Sequence, residues 1–126
     1  FCSIHKFYRL GKGPIWRCRS AENVVEEIKS LVKDHEVKQF IFVDDNFIGA
    51  GEKGKQRAAE IAEAIMKENL GVKFLISCRV TDVEEELFSL LKRAGLTTVG
   101  LGIEAGNQRQ LDTFNKGATV EDNKRA

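Results

Sequence analysis

At 126 residues the chain has room for one domain and one modest core. Hydrophobic residues make up 42% and charged residues 31%, and 20 basic side chains stand against 19 acidic ones. That balance excludes a general nucleic-acid or anionic-membrane partner, and no apolar run approaches the ~20 residues of a membrane span.

No secretory leader is expected, because the start lacks a charged stretch followed by an apolar one. Cys2, Cys18 and Cys78 are an odd count at wide spacing, which argues against a disulfide framework and for a reducing, cytoplasmic setting. Cys78 reads as a small buried side chain near a strand end.

An opening loop carries Phe1-Cys2. Ser20 is the predicted N-cap of a helix over 21–35, with Glu22 at the positive end of its dipole and Val24, Val25, Ile28, Leu31 and Val32 on one face. Phe40-Ile41-Phe42-Val43 reads as a strand buried on both faces, halted by Asp44-Asp45-Asn46. A helix over 53–69 turns Ala58, Ile61, Ala62, Ile65 and Met66 inward and ends at Gly71. A strand over 73–78 leads into Arg79. Thr81-Asp82-Val83-Glu84 then reads as a capping box for a helix bearing Leu87, Leu90 and Leu91, closed by Gly95. The third strand spans 97–103 and ends at Glu104-Ala105-Gly106. Asn107 caps a short helix with Leu111 and Phe114, and after Asn115-Lys116-Gly117 another helix starts near Thr119. Strand and helix alternate at roughly thirty residues per unit, the pattern of an α/β parallel sheet with right-handed crossovers. Both ends of the chain have the look of cuts in something longer.

In parallel α/β proteins ligands sit beyond the carboxyl ends of the strands. Those ends here carry Asp44, Asp45 and Asn46, then Cys78 and Arg79, then Glu104 and Gly106. Each has an ordinary explanation: Asp44 and Asp45 as helix caps, Arg79 and Glu104 as an ion pair between neighbouring strand ends. Gly100-Leu101-Gly102 lies inside a strand and does not form a dinucleotide fingerprint. Cys2, His5 and Cys18 lack a fourth ligand and do not form a zinc site.

Taken together these residues resemble the core of the radical S-adenosylmethionine (SAM) superfamily, whose hallmark is CxxxCxxC with an aromatic before the last cysteine. Phe1-Cys2 is similar to the tail of that motif. The subgroup resembled is the one associated with a cobalamin-binding domain. The likeness rests on Arg17-x-Arg19-Ser20, Phe42-x-Asp44-Asp45-Asn46-Phe47, Arg79, Gly102-Ile103-Glu104-x-Gly106 and Asn115-Lys116-Gly117, in that order across nearly the whole chain.

The resemblance implies a partial (β/α)6 TIM-like barrel, of which residues 1–126 are an incomplete core running from the third cluster cysteine to the helix after the fourth barrel strand. It implies a [4Fe–4S] cluster held by three thiolates, SAM on the fourth iron, and reductive cleavage of SAM to a 5′-deoxyadenosyl radical. Cys2 is then the third cluster ligand and Phe1 packs near the adenine. Asp44, Asp45 and Asn46 reach the SAM amino group, Glu104 a ribose hydroxyl, and Arg79 the SAM carboxylate or an ion partner. Cobalamin belongs to a domain preceding Cys2. With one cluster cysteine the 126 residues alone are expected to be inactive, and open sheet edges to favour self-association. Two other readings keep the same strand-end charges without this chemistry: a receiver-like signalling domain and a non-catalytic α/β interaction module.

Overall fold

A computed structural model describes residues 4–126. Three strands, β1 (Gln39–Ile41), β2 (Lys73–Arg79) and β3 (Leu96–Gly102), form one parallel sheet in the order β1-β2-β3. Six helices accompany them: α1 (Ile4–Arg9), α2 (Ala21–His35), α3 (Gly51–Lys67), α4 (Glu85–Ala94), α5 (Gln108–Thr113) and α6 (Val120–Arg125).

Parallel pairing gives paired residues the same face, and successive residues alternate between faces. Phe74, Ile76 and Cys78 of β2 therefore point together with Val99 and Leu101 of β3, and all five belong to or pack against one core. Helices α2, α3 and α4 cover this side with Val25, Ile28, Ile61, Ile65 and Leu91. Phe40, Phe42, Phe47 and Phe74 meet there ring to ring, with centroids 4.6–5.8 Å apart.

The opposite face carries Ile41 of β1, Leu75 and Ser77 of β2, and Thr98, Gly100 and Gly102 of β3. No described helix covers it. The expectation of a first strand buried on both faces is thus corrected: Ile41 is 60% exposed and Val43 94%. An apolar run reports hydrophobicity but not the number of layers that will cover it. The strand is also shorter than expected, though Phe42 extends the ladder by one N–H to the Leu75 carbonyl.

Other local expectations are corrected as well. The opening segment forms α1 where a loop was expected, since no glycine or proline occurs before Gly11. The capping box at Thr81–Glu84 does not form. Residues 80–82 make a single 3₁₀ turn instead, and Asp82 is engaged by Asn46, whose Nδ2 donates to Oδ2 at 2.7 Å. Helix α3 ends at Lys67 and reverses at Asn69 (φ 49°) rather than at Gly71, because Asn also tolerates the left-handed region. Met66, expected inward, is 36% exposed. Ser20, Asn107 and Thr119 do cap α2, α5 and α6.

Buried Phe47 and Ile48 bring the loop after β1 down onto α3, and only a glycine at 54 permits the approach. A Cβ there would lie 2.1 Å from the Ile48 carbonyl oxygen. Alanine normally stabilises a helix interior by about 1 kcal/mol over glycine. Gly54→Ala is expected to do the reverse, lowering the unfolding free energy by about 1–3 kcal/mol in urea titrations, as over-packing does.

Candidate functional site

Beyond the carboxyl ends of β1, β2 and β3 the strand-end residues fall into two connected groups. The first surrounds the loop after β1. Asp44 and Asp45 are exposed, and the Tyr8 hydroxyl of α1 donates to Asp45 Oδ2 at 3.0 Å. That bond, and then the carboxylate's charge, hold the Tyr8 phenol above its ordinary range. Asn46 faces inward. Its amide donates to Asp82 and to the Gly49 carbonyl (3.4 Å), while Oδ1 is buried with no partner among the described residues. Asn46 therefore ties the loop after β1 to the turn after β2, leaving the two aspartates as the solvent-facing acceptors.

The segment from Tyr8 to Arg19 is fastened to this group. Besides the Tyr8–Asp45 bond, the Trp16 ring lies where a side chain on Gly49 would be, 2.7 Å from an ideal Cβ. Arg57 Nε donates to the Arg19 carbonyl at 2.8 Å. Phe1 and Cys2 themselves lie outside the described residues.

The second group joins the ends of β2 and β3. Arg79 and Glu104, considered as an ion pair from sequence, are linked through a third residue. Lys116 Nζ pairs with Glu104 Oε1 at 3.0 Å, and Arg79 donates to the Lys116 backbone carbonyl, also at 3.0 Å. The Lys116 side chain is 8% exposed and that of Glu104 36%. Glu104 occupies a left-handed conformation (φ 64°) at the tip of a three-residue turn closed by Ala105 N–H to the Ile103 carbonyl, 2.8 Å. A γ-turn with positive φ at its centre is rare and strained. Asn123 Nδ2 of α6 supports it by donating to the carbonyls of Ile103 (3.3 Å) and Ala105 (3.0 Å).

Between the two groups runs the open face of the sheet, and beyond Ile41, Leu75 and Thr98 its carboxyl end carries only small residues beside Arg79. Ser77 pairs with Gly100 and Arg79 with Gly102. A Cβ on Gly100 would come 3.1 Å from Ser77 Oγ. One on Gly102 would come 3.1 Å from Lys116 Nζ and 3.3 Å from Glu104 Oε1. The result is a shallow cradle with little side-chain bulk over Ser77 and Gly100, covered at Gly102 by the Lys116–Glu104 pair, with carboxylates at its upper edge. Such a surface admits a flat or sugar-like group against the strands and offers acceptors to its ammonium or hydroxyl functions.

Lys116, Asn123 and Tyr8 were given no role from sequence. The available signal for Lys116 was its place between Asn115 and Gly117, which take φ 50° and 67°. For the cradle it was the two-residue spacing of Gly100 and Gly102, which places both on one face of a strand.

Among the described residues no group of three or more His, Cys, Asp and Glu side chains converges as a metal site. No described helix is long and apolar enough to cross a membrane. Cys78 points away from the cradle into the core; burial, and then the charge of Asp82, push its thiol up to about 11. It is not a candidate thiolate at neutral pH.

The Radical SAM superfamily matches residues 1–126. The chain is 41% identical over its whole length to an anaerobic magnesium-protoporphyrin IX monomethyl ester cyclase of Rubrivivax gelatinosus, of which it covers 21%. It is 34% identical, over 96% of the chain, to an uncharacterized methyltransferase of Pyrococcus horikoshii, of which it covers 25%. The solved structure of the cobalamin-dependent SAM radical enzyme OxsB, with aqua-cobalamin and SAM bound, superposes with a TM-score of 0.79 at 25% identity. That match covers 86% of this chain and 17% of OxsB. The chain thus spans about a fifth of the length of the curated relatives it matches.

Because the folded state holds the Cys78 proton more tightly than the unfolded chain, whose ordinary value is 9.0, the associated stability is complete below about pH 9 and is lost as pH rises through about 11. Wild type should therefore lose more stability than Cys78→Ala across that window in pH-dependent urea melts. At pH 8, iodoacetamide should label exposed Cys18 under native conditions and Cys78 only after unfolding, as read by peptide mass mapping.

Proposed function

The chain belongs to the radical SAM superfamily, and from that membership we propose that it forms part of a catalytic domain whose open sheet face binds SAM beside a [4Fe–4S] cluster. Its three parallel β/α units are of the kind that build the family's partial barrel. The observation that carries the reading is the row Ser77, Gly100, Gly102, where side chains have been pared back on the one sheet face without helices, directly below Glu104. A phosphoacceptor site or a plain interaction surface gives no reason for that row.

The residues fit the ligand's functional groups. Exposed Asp44 and Asp45 suit the ammonium of SAM, with Asn46 building their loop. Glu104 suits the ribose hydroxyls. Arg79, fixed to the Lys116 carbonyl, borders the cradle where a carboxylate would extend. Cys2 is assigned as a cluster ligand with Phe1 beside the adenine. Cys78 faces the core and holds its proton, so it is not one of the cluster's thiolates. When bound, the cluster supplies the electron that cleaves SAM to a 5′-deoxyadenosyl radical. The chain's part is to seat and orient SAM and keep water from it.

Relatives named as a cyclase and a methyltransferase share this stretch. We therefore assign to it the SAM-binding part common to them, with substrate choice lying outside it. The likeness to cobalamin-dependent OxsB supports association with a cobalamin domain in the longer protein, and the free cysteines among the described residues suit a reducing cytoplasm.

Gly100→Val in the full-length, cluster-loaded enzyme tests the cradle. Valine suits a strand, so thermal unfolding should shift little, while SAM affinity measured by equilibrium dialysis should fall at least ~10-fold as the branched side chain fills the cradle. Unchanged affinity would sink the assignment of this face.

A further inference from the structure

We propose that Lys116 is a positioning residue for the nucleoside end of the ligand, setting the direction of the Glu104 carboxylate so that one oxygen is presented to the ribose hydroxyls. This rests on the cradle assigned above. Four separate features converge on that carboxylate. The Glu104 backbone is held in a left-handed turn, closed by its neighbours and braced by Asn123 from α6. The Lys116 ammonium, nearly out of solvent, takes Oε1 at 3.0 Å. Lys116 is fixed in its turn: its N–H donates to the Leu111 carbonyl at 3.0 Å, and its carbonyl accepts from Arg79. Gly102 beneath leaves the volume the pair occupies, since a Cβ would stand 3.1 Å from Nζ and 3.3 Å from Oε1.

An ion pair serving stability alone requires none of this. A buried ammonium needs a partner, but a pair formed between ordinary helix faces would supply one without backbone strain. Here a non-glycine residue is kept at positive φ, and a glycine is kept below, so that one carboxylate stands at the rim of the cradle in a fixed orientation. Among the described residues Oε1 is the engaged oxygen of Glu104, so the carboxylate retains acceptor capacity on its exposed side. A carboxylate anchored at one oxygen by an ammonium matches a vicinal diol, whose two hydroxyls donate to the other. The recognised group is therefore the ribose of SAM, and the consequence is discrimination of ribose from deoxyribose.

The test uses the full-length, cluster-loaded enzyme and equilibrium binding of SAM and of its 2′-deoxyribose analogue. Wild type should prefer SAM by about tenfold, the value of one hydrogen bond to a charged acceptor. Lys116→Met should weaken SAM binding and reduce that preference to about twofold, with little change for the analogue. Glu104→Gln should do the same, and the double substitution should be no weaker than Glu104→Gln alone. Lys116→Gln keeps the length and one donor without the charge, and serves if the methionine variant does not fold; a partial loss of preference is expected. Full preference retained in the folded lysine variants, with preference lost in Glu104→Gln, would overturn the role of Lys116 and leave the cradle standing. Full preference retained in Glu104→Gln would overturn the assignment of Glu104 itself, and the proposal with it. Absence of SAM binding by wild type would remove the cradle.

Discussion

Parallel pairing of β2 with β3 is the constraint on which everything else depends. It fixes which side chains share a face, and so divides seven residues of each strand into a set that must find apolar partners and a set that need not. Phe74, Ile76 and Cys78 go with Val99 and Leu101 to the helices, and Ser77 and Arg79 go with Gly100 and Gly102 to the open side. A shift of one residue in β2 would bury Arg79 and expose Phe74. The core and the cradle are therefore two outcomes of one register.

Strand ends in such a sheet fan out, and here they are laced together laterally. Asn46 to Asp82 joins the loop after β1 to the turn after β2. Arg79 to Lys116 to Glu104 joins the end of β2 to the loops after α5 and β3, and Asn123 of α6 anchors the last. All are polar contacts among side chains and backbone groups at partial or full burial, where a missing partner leaves a desolvated group behind. The lacing keeps Asp44, Asp45 and Glu104 at fixed positions around a floor with few side chains. A preorganised rim of this kind matches the demands of cofactor chemistry, in which the protein's work is orientation and exclusion of solvent.

The sequence pattern carried the fold a long way. Ser20, Asn107 and Thr119 cap helices as their identities require, Gly95 ends α4 at φ 118°, and α2 begins and ends at the expected residues. Each of these is a local matter, settled by side chains within four residues of the backbone they serve. Expectations failed where a distant group competed. Asp82 satisfies Asn46 in place of a helix N-terminus, thirty-six residues away in sequence. Of the site, the strand-end residues were legible because charged side chains at the ends of buried strands stand out. Their partnership was not, since Lys116 lies twelve residues from Glu104 and thirty-seven from Arg79.

By itself, then, the order of residues determined the alternation of strand and helix, the strand ends at which polar groups would gather, and the family those groups belong to. Periodicity and motif spacing are short-range properties, written directly in the chain. Only the tertiary structure decided that one sheet face would stand open and that Lys116 would take the carboxylate otherwise considered for Arg79. Those outcomes depend on register and on the approach of loops far apart in sequence. There the free energy of burying or pairing a polar group is settled by whichever neighbour arrives, not by the residues beside it.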